Sequence, residues 1–157
     1  MVNVLFLCTG NSARSIMAEC AINRWGRGRF EGFSAGSHPK VTVHPLALAL
    51  LNEFGYDTSA LRSKSWDDFA DGSRFDFVFT VCDQAAAEPC PVWPGHPITA
   101  HWGLADPAAC GGTEDEQRRF FARTYGELEA RIKAFMNWTS SEWTQASFKS
   151  SSIKSDV

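Results

Sequence analysis

The chain has 157 residues, which is the length of one ordinary domain and too short for two. Hydrophobic residues make up 44% of it and aromatic residues 13%, which is typical of a protein with a packed core and excludes a disordered one. The net charge of −3 argues against nucleic-acid binding that depends on phosphate neutralisation. No stretch reaches the roughly 20 apolar residues that span a bilayer, so we expect no membrane segment.

The first eight residues carry no export signal, because they lack a basic region and predict a buried strand instead. We therefore expect a cytoplasmic protein. In that reducing compartment, five cysteines indicate catalytic, metal-binding or buried thiols rather than structural disulfides. We also expect a monomer, with no nucleic acid and no membrane among its partners.

Strands and helices alternate along the chain. Short apolar runs predict strands at 2–7, 30–34, 75–81 and 98–101. Apolar residues at three- and four-residue steps predict helices at 16–25, 46–54 and 114–138, with one helical turn at 66–69. This alternation predicts one α/β domain over residues 1–138, with a parallel sheet and right-handed crossovers. Residues 139–157 are mostly polar, which predicts a flexible tail.

Two cysteines follow predicted strands directly. Cys8 comes after the first strand and Cys82 after the third. Ligands of parallel sheets bind beyond the carboxyl ends of the strands, so we expect both thiols at the ligand-binding edge of the sheet.

The loop from Cys8 to Arg14 has the features of an oxyanion site. It connects a predicted strand to a predicted helix, where backbone N–H groups and the helix dipole attract an anion. Gly10 and Asn11 tolerate the left-handed backbone that a tight loop requires, and the planar fork of Arg14 can hold two oxygens. The expected anion-binding residues are Thr9, Gly10, Asn11, Ser12, Ala13 and Arg14.

The same positive field should favour a thiolate at Cys8. We expect the pKa of Cys8 to fall below the usual thiol value of about 8.5, with the hydroxyl of Ser15 donating a hydrogen bond to the sulfur. These features predict a nucleophilic cysteine. The alternative is a buried cysteine that ends a strand, next to an unrelated surface arginine.

Asp106 is the candidate proton donor for an oxygen that leaves during transfer to a thiolate. Pro107 holds it in an extended conformation, and Trp102 and Leu104 would supply the apolar cover that keeps a carboxyl protonated. From the residues alone, an Asp-Pro pair is equally a common turn.

The segment Cys8-Thr9-Gly10-Asn11-Ser12-Ala13-Arg14-Ser15 resembles the phosphate-binding loop of the low-molecular-weight protein tyrosine phosphatase family. It is more closely similar to the arsenate reductases built on that fold. The resemblance extends from Val2 to about Trp138 and implies a four-stranded parallel sheet with helices on both faces. It also implies that Asp106 is the general acid, although Ala108 stands where the phosphatases typically have a tyrosine that lines the slot for a phenyl ring.

Cys82 and Cys90 lie on one Pro-containing segment that resembles the resolving-cysteine segment of the thioredoxin-coupled arsenate reductases. The resemblance implies that arsenate is reduced at Cys8 and that a Cys82/Cys90 disulfide carries the oxidising equivalents away. Thioredoxin would then supply the electrons, with glutaredoxin or glutathione as alternative donors. Phosphate and sulfate would compete with arsenate.

No tightly bound cofactor is expected, but the sequence contains residues for two candidate metal sites. A zinc site would use Cys82, Cys90, His96 and His101, whose spacing differs from that of compact zinc sites. The resemblance implies a potassium ion near Asn11, Glu19 and Ser34.

Two other functions remain open at this point. One is a phosphatase that hydrolyses phosphotyrosine or small phosphate monoesters. The other is a non-catalytic sensor that binds an oxyanion or a metal in the same loop.

Overall fold

The structure is a computed structural model that describes residues 1–69, 74–82, 93 and 97–138. Four strands form one sheet in the order β2-β1-β3-β4, and each neighbouring pair is parallel. The strands are β1 Val2–Cys8, β2 Phe30–Gly36, β3 Phe77–Thr80 and β4 Ile98–His101. The expected single α/β domain with a four-stranded parallel sheet is therefore confirmed.

Three α-helices accompany the sheet in the described part of the chain, together with two short 3₁₀ turns. The helices are α1 Arg14–Trp25, α2 Pro45–Glu53 and α3 Glu114–Met136. The 3₁₀ turns are Trp66–Phe69 and Pro107–Ala109. Every helix predicted from apolar spacing is present, with ends shifted by one or two residues. None of the described helices is long and apolar enough to cross a membrane.

Alternating residues of β1 face the two sides of the sheet. Val4, Phe6 and Cys8 belong to the larger core cluster, to which α1, α2 and α3 contribute. Leu5 and Leu7 point to the other side and pack in a smaller cluster with aromatic side chains. Strands buried on both sides read as continuous apolar runs, which is why β1 was recognisable in the sequence.

The helix ends have distinct local causes. Pro45 occupies the first turn of α2, where its missing N–H costs nothing, and the ring of His44 caps that helix by accepting from the N–H of Leu46. Thr113 and Glu116 form a capping box at the start of α3. The N-terminus of α1 differs, because Ala13 offers no side-chain cap and leaves the first N–H groups to other partners.

β3 is shorter than the predicted 75–81, because its pairing with β1 covers only four residues of each strand. Just before β3, the backbone N–H of Asp76 donates to the carbonyl of Asn3, and the carboxylate of Asp76 accepts from the N–H of Asn3 at 2.8 Å. β2 is longer than the predicted 30–34 and runs on to Gly36, which pairs with Cys8. The predicted boundary of the domain near residue 138 stays a prediction, since residues 139–157 lie outside the described part.

Candidate active site

The loop between β1 and α1 binds the surrounding chain through its carbonyl groups. Four consecutive carbonyl oxygens, from Thr9 to Ser12, accept hydrogen bonds on the outer side of the loop. Their donors are the backbone N–H groups of His38, Lys40 and His44 and the hydroxyl of Ser63, at 2.7 to 2.9 Å. Because the C=O and N–H of a trans peptide unit point in opposite directions, these contacts turn the N–H groups of the loop inward. The loop therefore has the N–H arrangement expected of an anion site.

Asn11 sets the turn of this loop. It is fully buried and has a φ of 44°, the left-handed conformation that was expected of it. Its side chain donates to the hydroxyl of Ser15 at 2.8 Å and accepts from the N–H of Lys64 at 2.7 Å. The same expectation for Gly10 is wrong, because its φ is not positive. The absence of a side chain at Gly10 instead makes room for the stem of Lys40.

Gly36 at the end of β2 lets the loop approach the sheet. A Cβ atom at this position would lie 2.5 Å from the carbonyl oxygen of Thr9 and 3.0 Å from the N–H nitrogen of Asn11. Both neighbours are backbone atoms and cannot rotate away. The loop can take this shape only with a glycine at position 36.

Cys8 lies at the floor of the loop and is 4% exposed. Its sulfur is 2.9 Å from the hydroxyl of Ser15 and accepts from the N–H of Asn11 at 3.2 Å. Burial raises the pKa of the Cys8 thiol, the neighbouring Cys82 raises it further, and the hydrogen bonds from Ser15 and Asn11 lower it. The resulting pKa of Cys8 lies above the ordinary value, so the expectation of a lowered pKa is wrong.

Arg14 begins α1, and its guanidinium lines the cleft and bonds to the segment that carries Asp106. One guanidinium nitrogen donates to the carbonyl oxygen of Leu104 at 2.9 Å, and the other lies 3.6 Å from a carboxylate oxygen of Asp106. This arrangement joins the expected anion-binding residue to the expected acid.

Asp106 lies on the rim of the cleft, with its side chain 42% exposed. Besides Arg14, its carboxylate accepts from the N–H of Ala108 at 2.9 Å. The expected apolar cover from Trp102 is absent. That side chain is fully buried and stacks on Phe79 with ring centroids 4.2 Å apart, so it anchors the segment that leads to Asp106.

Cys82 shares the cleft with Cys8. Both residues line an open cavity of about 460 Å³, together with the loop, Leu104 and Asp106. The sulfur of Cys82 is 3.7 Å from the hydroxyl oxygen of Thr9. The strand ends thus bring together two of the three thiols of the expected relay. The third, Cys90, lies outside the described residues.

The two remaining described cysteines differ from this pair. Cys20 is buried in the core on α1, as predicted, and burial raises its pKa to about 12. Cys110 follows the Pro107–Ala109 turn, is partly exposed and donates to the carbonyl of Gly111. Neither lines the cavity that contains Cys8.

No three His, Cys, Asp or Glu side chains of the described residues are arranged to hold a metal ion. Cys90 and His96 of the weighed zinc set lie outside that part, and His101 pairs its ring with the hydroxyl of Thr80 at 2.8 Å.

The residues of the implied potassium site do come together. Ser34 donates to Glu19, while Asn11 is connected to them through Lys64. The ammonium nitrogen of Lys64 lies 3.6 Å from Glu19 and 3.5 Å from Ser34, and it donates to the carbonyl of Arg62 at 2.8 Å. These residues do not fit a potassium ion, because the ammonium group of Lys64 already lies among their oxygen atoms.

Several residues of the site gave no signal in the sequence. They contact the loop only through the fold, and they are Gly36, His38, Lys40, His44, Ser63 and Lys64. A glycine directly after a strand that neighbours a phosphate-binding loop was the one available sign, since a close approach of two backbones requires it.

Comparison with known proteins agrees with this geometry. The family model of the low molecular weight phosphotyrosine protein phosphatases matches residues 3–146. The chain belongs to this family. Within it, the chain is 40% identical over 133 residues to a protein of Shouchella clausii named arsenate reductase, covering 84% of this chain and 93% of that protein.

Two solved structures are also similar to this chain. One is described as an arsenate reductase in the oxidised state, with a TM-score of 0.70, 29% identity, and coverage of 85% of this chain and 95% of that chain. The other is described as an arsenate reductase in the phosphate-binding state, with a TM-score of 0.63, 27% identity, and coverage of 87% and 97%. The expected family and fold are therefore confirmed.

Proposed function

We propose that this protein reduces arsenate to arsenite, with Cys8 as the nucleophile. The observation that carries the proposal is the second thiol in the cleft: Cys82 lines the same cavity as Cys8. Hydrolysis of a phosphate ester requires one thiol and water, whereas reduction of arsenate requires two electrons, which a pair of thiols supplies. The names of the similar proteins support the same reaction.

The first step forms a covalent bond between sulfur and arsenic. Arsenate binds to the inward N–H groups of the loop. The guanidinium of Arg14 breaks its contact with Asp106 and binds two of the arsenate oxygens. The carboxylate of Asp106, released by Arg14, takes up the proton that the Cys8 thiol loses as its sulfur attacks arsenic. Asp106 then gives this proton to the departing hydroxyl oxygen, the bond between arsenic and that oxygen breaks, and the oxygen leaves as water. Freeing Arg14 brings its positive charge to the anion and the sulfur, which offsets the effect of burial on the pKa of Cys8.

The second step transfers two electrons. The thiolate of Cys82 attacks the sulfur of Cys8, a disulfide forms between them, and the electron pair of the broken sulfur–arsenic bond reduces arsenic(V) to arsenic(III). Arsenite leaves. Cys90 then attacks Cys82, which releases the thiolate of Cys8 and leaves a Cys82–Cys90 disulfide for a dithiol donor. We propose thioredoxin as that donor, with glutaredoxin or glutathione as the alternative, and a cytoplasmic location.

The lining of the cleft favours this function over phosphotyrosine hydrolysis. Among the described residues that line it there is no Phe, Tyr or Trp, and Ala108 stands at the rim. Within the described part of the lining, a phenyl ring would therefore find no aromatic side chain to stack on. A small tetrahedral anion needs only the loop and Arg14.

The test is a coupled assay in which oxidation of NADPH by thioredoxin reductase and thioredoxin depends on arsenate, run beside a glutaredoxin and glutathione system. We expect steady turnover in the wild type. Cys90→Ser should complete one turnover and stop with Cys8 bonded to Cys82, which peptide mass mapping after one equivalent of arsenate detects. Cys110→Ser is the matched control and should keep full turnover. Steady turnover of both Cys82→Ser and Cys90→Ser would contradict the relay, and hydrolysis of aryl phosphates without arsenate reduction would favour the phosphatase.

A further inference from the structure

The side chain of Lys64 ends in a confined, oxygen-lined place beneath the Cys8–Arg14 loop. The side chain is 12% exposed, and the side chain of Glu19, with which it pairs, is 19% exposed. Three kinds of oxygen surround the ammonium: the carboxylate of Glu19, the hydroxyl of Ser34 and the carbonyl of Arg62. Oxygens of these kinds also bind small monovalent cations. The ammonium of Lys64 therefore does here what a bound cation would do.

The main chain of Lys64 connects this charge to the loop. Its N–H donates to the side-chain oxygen of Asn11 at 2.7 Å, and its carbonyl accepts from the N–H of Gly36 at 2.9 Å. Asn11 in turn donates its side-chain N–H to Ser15 and its backbone N–H to the sulfur of Cys8. A continuous set of hydrogen bonds thus runs from Lys64 to the nucleophile.

Glu19 would be an unpaired, mostly buried carboxylate without this ammonium, which is a costly arrangement. Its other contact is the hydroxyl of Ser34, itself fully buried in β2. Loss of the charge would drive Glu19 outward and release the segment of Lys64. Asn11 would then lose the hydrogen bond that helps hold it in its left-handed conformation.

We infer that Lys64 is a positioning residue for Cys8, whose ammonium replaces a monovalent cation and holds Asn11 in the conformation that the anion loop requires. The inference rests on the loop as the anion site of the proposed function, but it does not depend on which oxyanion is transformed. Wild-type protein should therefore be indifferent to potassium. A variant without the ammonium should come to depend on it.

The experiment measures two properties that do not require arsenate reduction: the affinity for inorganic phosphate by calorimetry, and the pH dependence of Cys8 alkylation by iodoacetamide. Lys64→Ala is compared with wild type in choline chloride and in potassium chloride at equal ionic strength. Because the variant leaves a buried charge uncompensated, we expect phosphate binding about tenfold weaker in choline chloride. Alkylation of Cys8 should shift to higher pH, since Asn11 and Ser15 then stabilise its thiolate less. Potassium should restore both properties.

Three further variants complete the design. Lys64→Met fills the same space without charge, so it should be impaired in both salts, and Lys64→Arg should stay close to wild type. Lys133→Ala removes an exposed lysine that pairs with Glu129 on α3, and it should change neither property. Wild-type behaviour of Lys64→Ala in choline chloride would overturn the inference, as would impairment that potassium does not relieve. Failure of arsenate turnover in the wild type would refute only the proposed function.

Discussion

The hydroxyl of Ser15 lies between two partners that fix its direction. Asn11 donates its side-chain N–H to the oxygen of Ser15, which leaves the hydroxyl proton for the sulfur of Cys8 at 2.9 Å. A hydrogen bond donated to sulfur stabilises the thiolate more than the thiol, and this is the main contribution that lowers the pKa of Cys8. The role expected of Ser15 from its position next to Arg14 agrees with this contact.

Ser15→Ala should therefore raise the pKa of Cys8. The inflection in a plot of iodoacetamide alkylation against pH should move to higher pH than in the wild type. Cys82→Ser should move it the other way, because the neighbouring Cys82 raises the pKa of Cys8. Ser59→Ala removes an exposed hydroxyl that bonds only to Asp57 in the described contacts, and it should leave the curve unchanged. Equal inflections for Ser15→Ala and wild type would contradict the role of Ser15.

Asp106 has two roles in the proposed reaction, as partner of Arg14 in the anion-free loop and as acid when arsenate is bound. Asp106→Asn should lower turnover by roughly 10²- to 10⁴-fold, the usual size of an acid–base contribution. Phosphate binding should be equal or tighter than in the wild type, because the amide competes less for Arg14 than the carboxylate does. Turnover follows from the coupled assay and affinity from calorimetry. Near-normal turnover would show that Asp106 is not the general acid and that Asp106-Pro107 only forms a turn.

At the scale of elements, the loop is held in place by its surroundings on two sides. The segment from His38 to His44 donates to three of its four outer carbonyls, Ser63 donates to the fourth, and the end of β2 packs against its backbone. The N-terminus of α1 has no side-chain cap, which leaves its first N–H groups available to an anion. The loop is thus a product of three elements and not of its own sequence alone.

Gly36→Ala tests the contact between β2 and the loop. The added Cβ would lie 2.5 Å from the oxygen of Thr9, so the loop must move away and its N–H groups lose their common direction. We expect weaker phosphate binding and a lower free energy of unfolding in urea. Gly126→Ala in α3 is the control, because its Cβ meets nothing within 4 Å. It should leave binding unchanged and stabilise the helix by up to about 1 kcal/mol. Unchanged phosphate affinity of Gly36→Ala would show that the loop tolerates the shift.

At the scale of the whole molecule, His44 connects the loop, α2 and α3. Its N–H donates to the carbonyl of Ser12, its ring nitrogen caps α2, and its ring packs on Phe121 of α3 with centroids 4.8 Å apart. Burial lowers the pKa of His44, Lys40 lowers it further, and Asp106 raises it. A protonated ring cannot accept the hydrogen bond that caps the helix.

The free energy of unfolding should therefore decrease as the pH is lowered, because His44 becomes protonated. The folded pKa lies below the unfolded value of 6.5, so the unfolded chain takes up the proton first, and the loss begins as pH falls below about 6.5 and continues down to the folded pKa. His44→Asn keeps a side chain that can cap the helix and removes the titration. In urea denaturation between pH 8 and pH 5, the wild type should lose more stability than His44→Asn. Parallel curves for the two proteins would exclude this cause.

Aromatic packing in the larger core cluster also connects distant parts of the molecule. Phe135 of α3 meets the rings of Phe77 and Phe79 at centroid distances of 4.8 and 5.1 Å, and Trp102 stacks on Phe79. Because Trp102 begins the segment that ends at Asp106, packing in the core positions the rim of the cleft. Apolar spacing predicted that Phe77, Phe79 and Phe135 would be buried. Trp102 was expected to cover the carboxyl of Asp106 directly, whereas it packs in the core and supports the segment from below.

The sequence by itself determined the order of strands and helices, the parallel sheet and the loop from Cys8 to Arg14. These depend on apolar spacing and on residue types within a few positions of each other, which a chain carries locally. It also indicated that Cys8 and Cys82 meet, since parallel strands bring their carboxyl ends to one edge.

Only the tertiary structure decided which residues bond to the loop and in which direction the pKa of Cys8 is shifted. Lys64 bonds to Asn11 from 53 residues away, and Arg14 bonds to Leu104 from 90 residues away. Neither partner is marked by a local pattern. The pKa of Cys8 is raised for the same reason. Burial and the proximity of Cys82 are properties of the assembled fold, and they outweigh the hydrogen bonds that Ser15 and Asn11 donate to the sulfur.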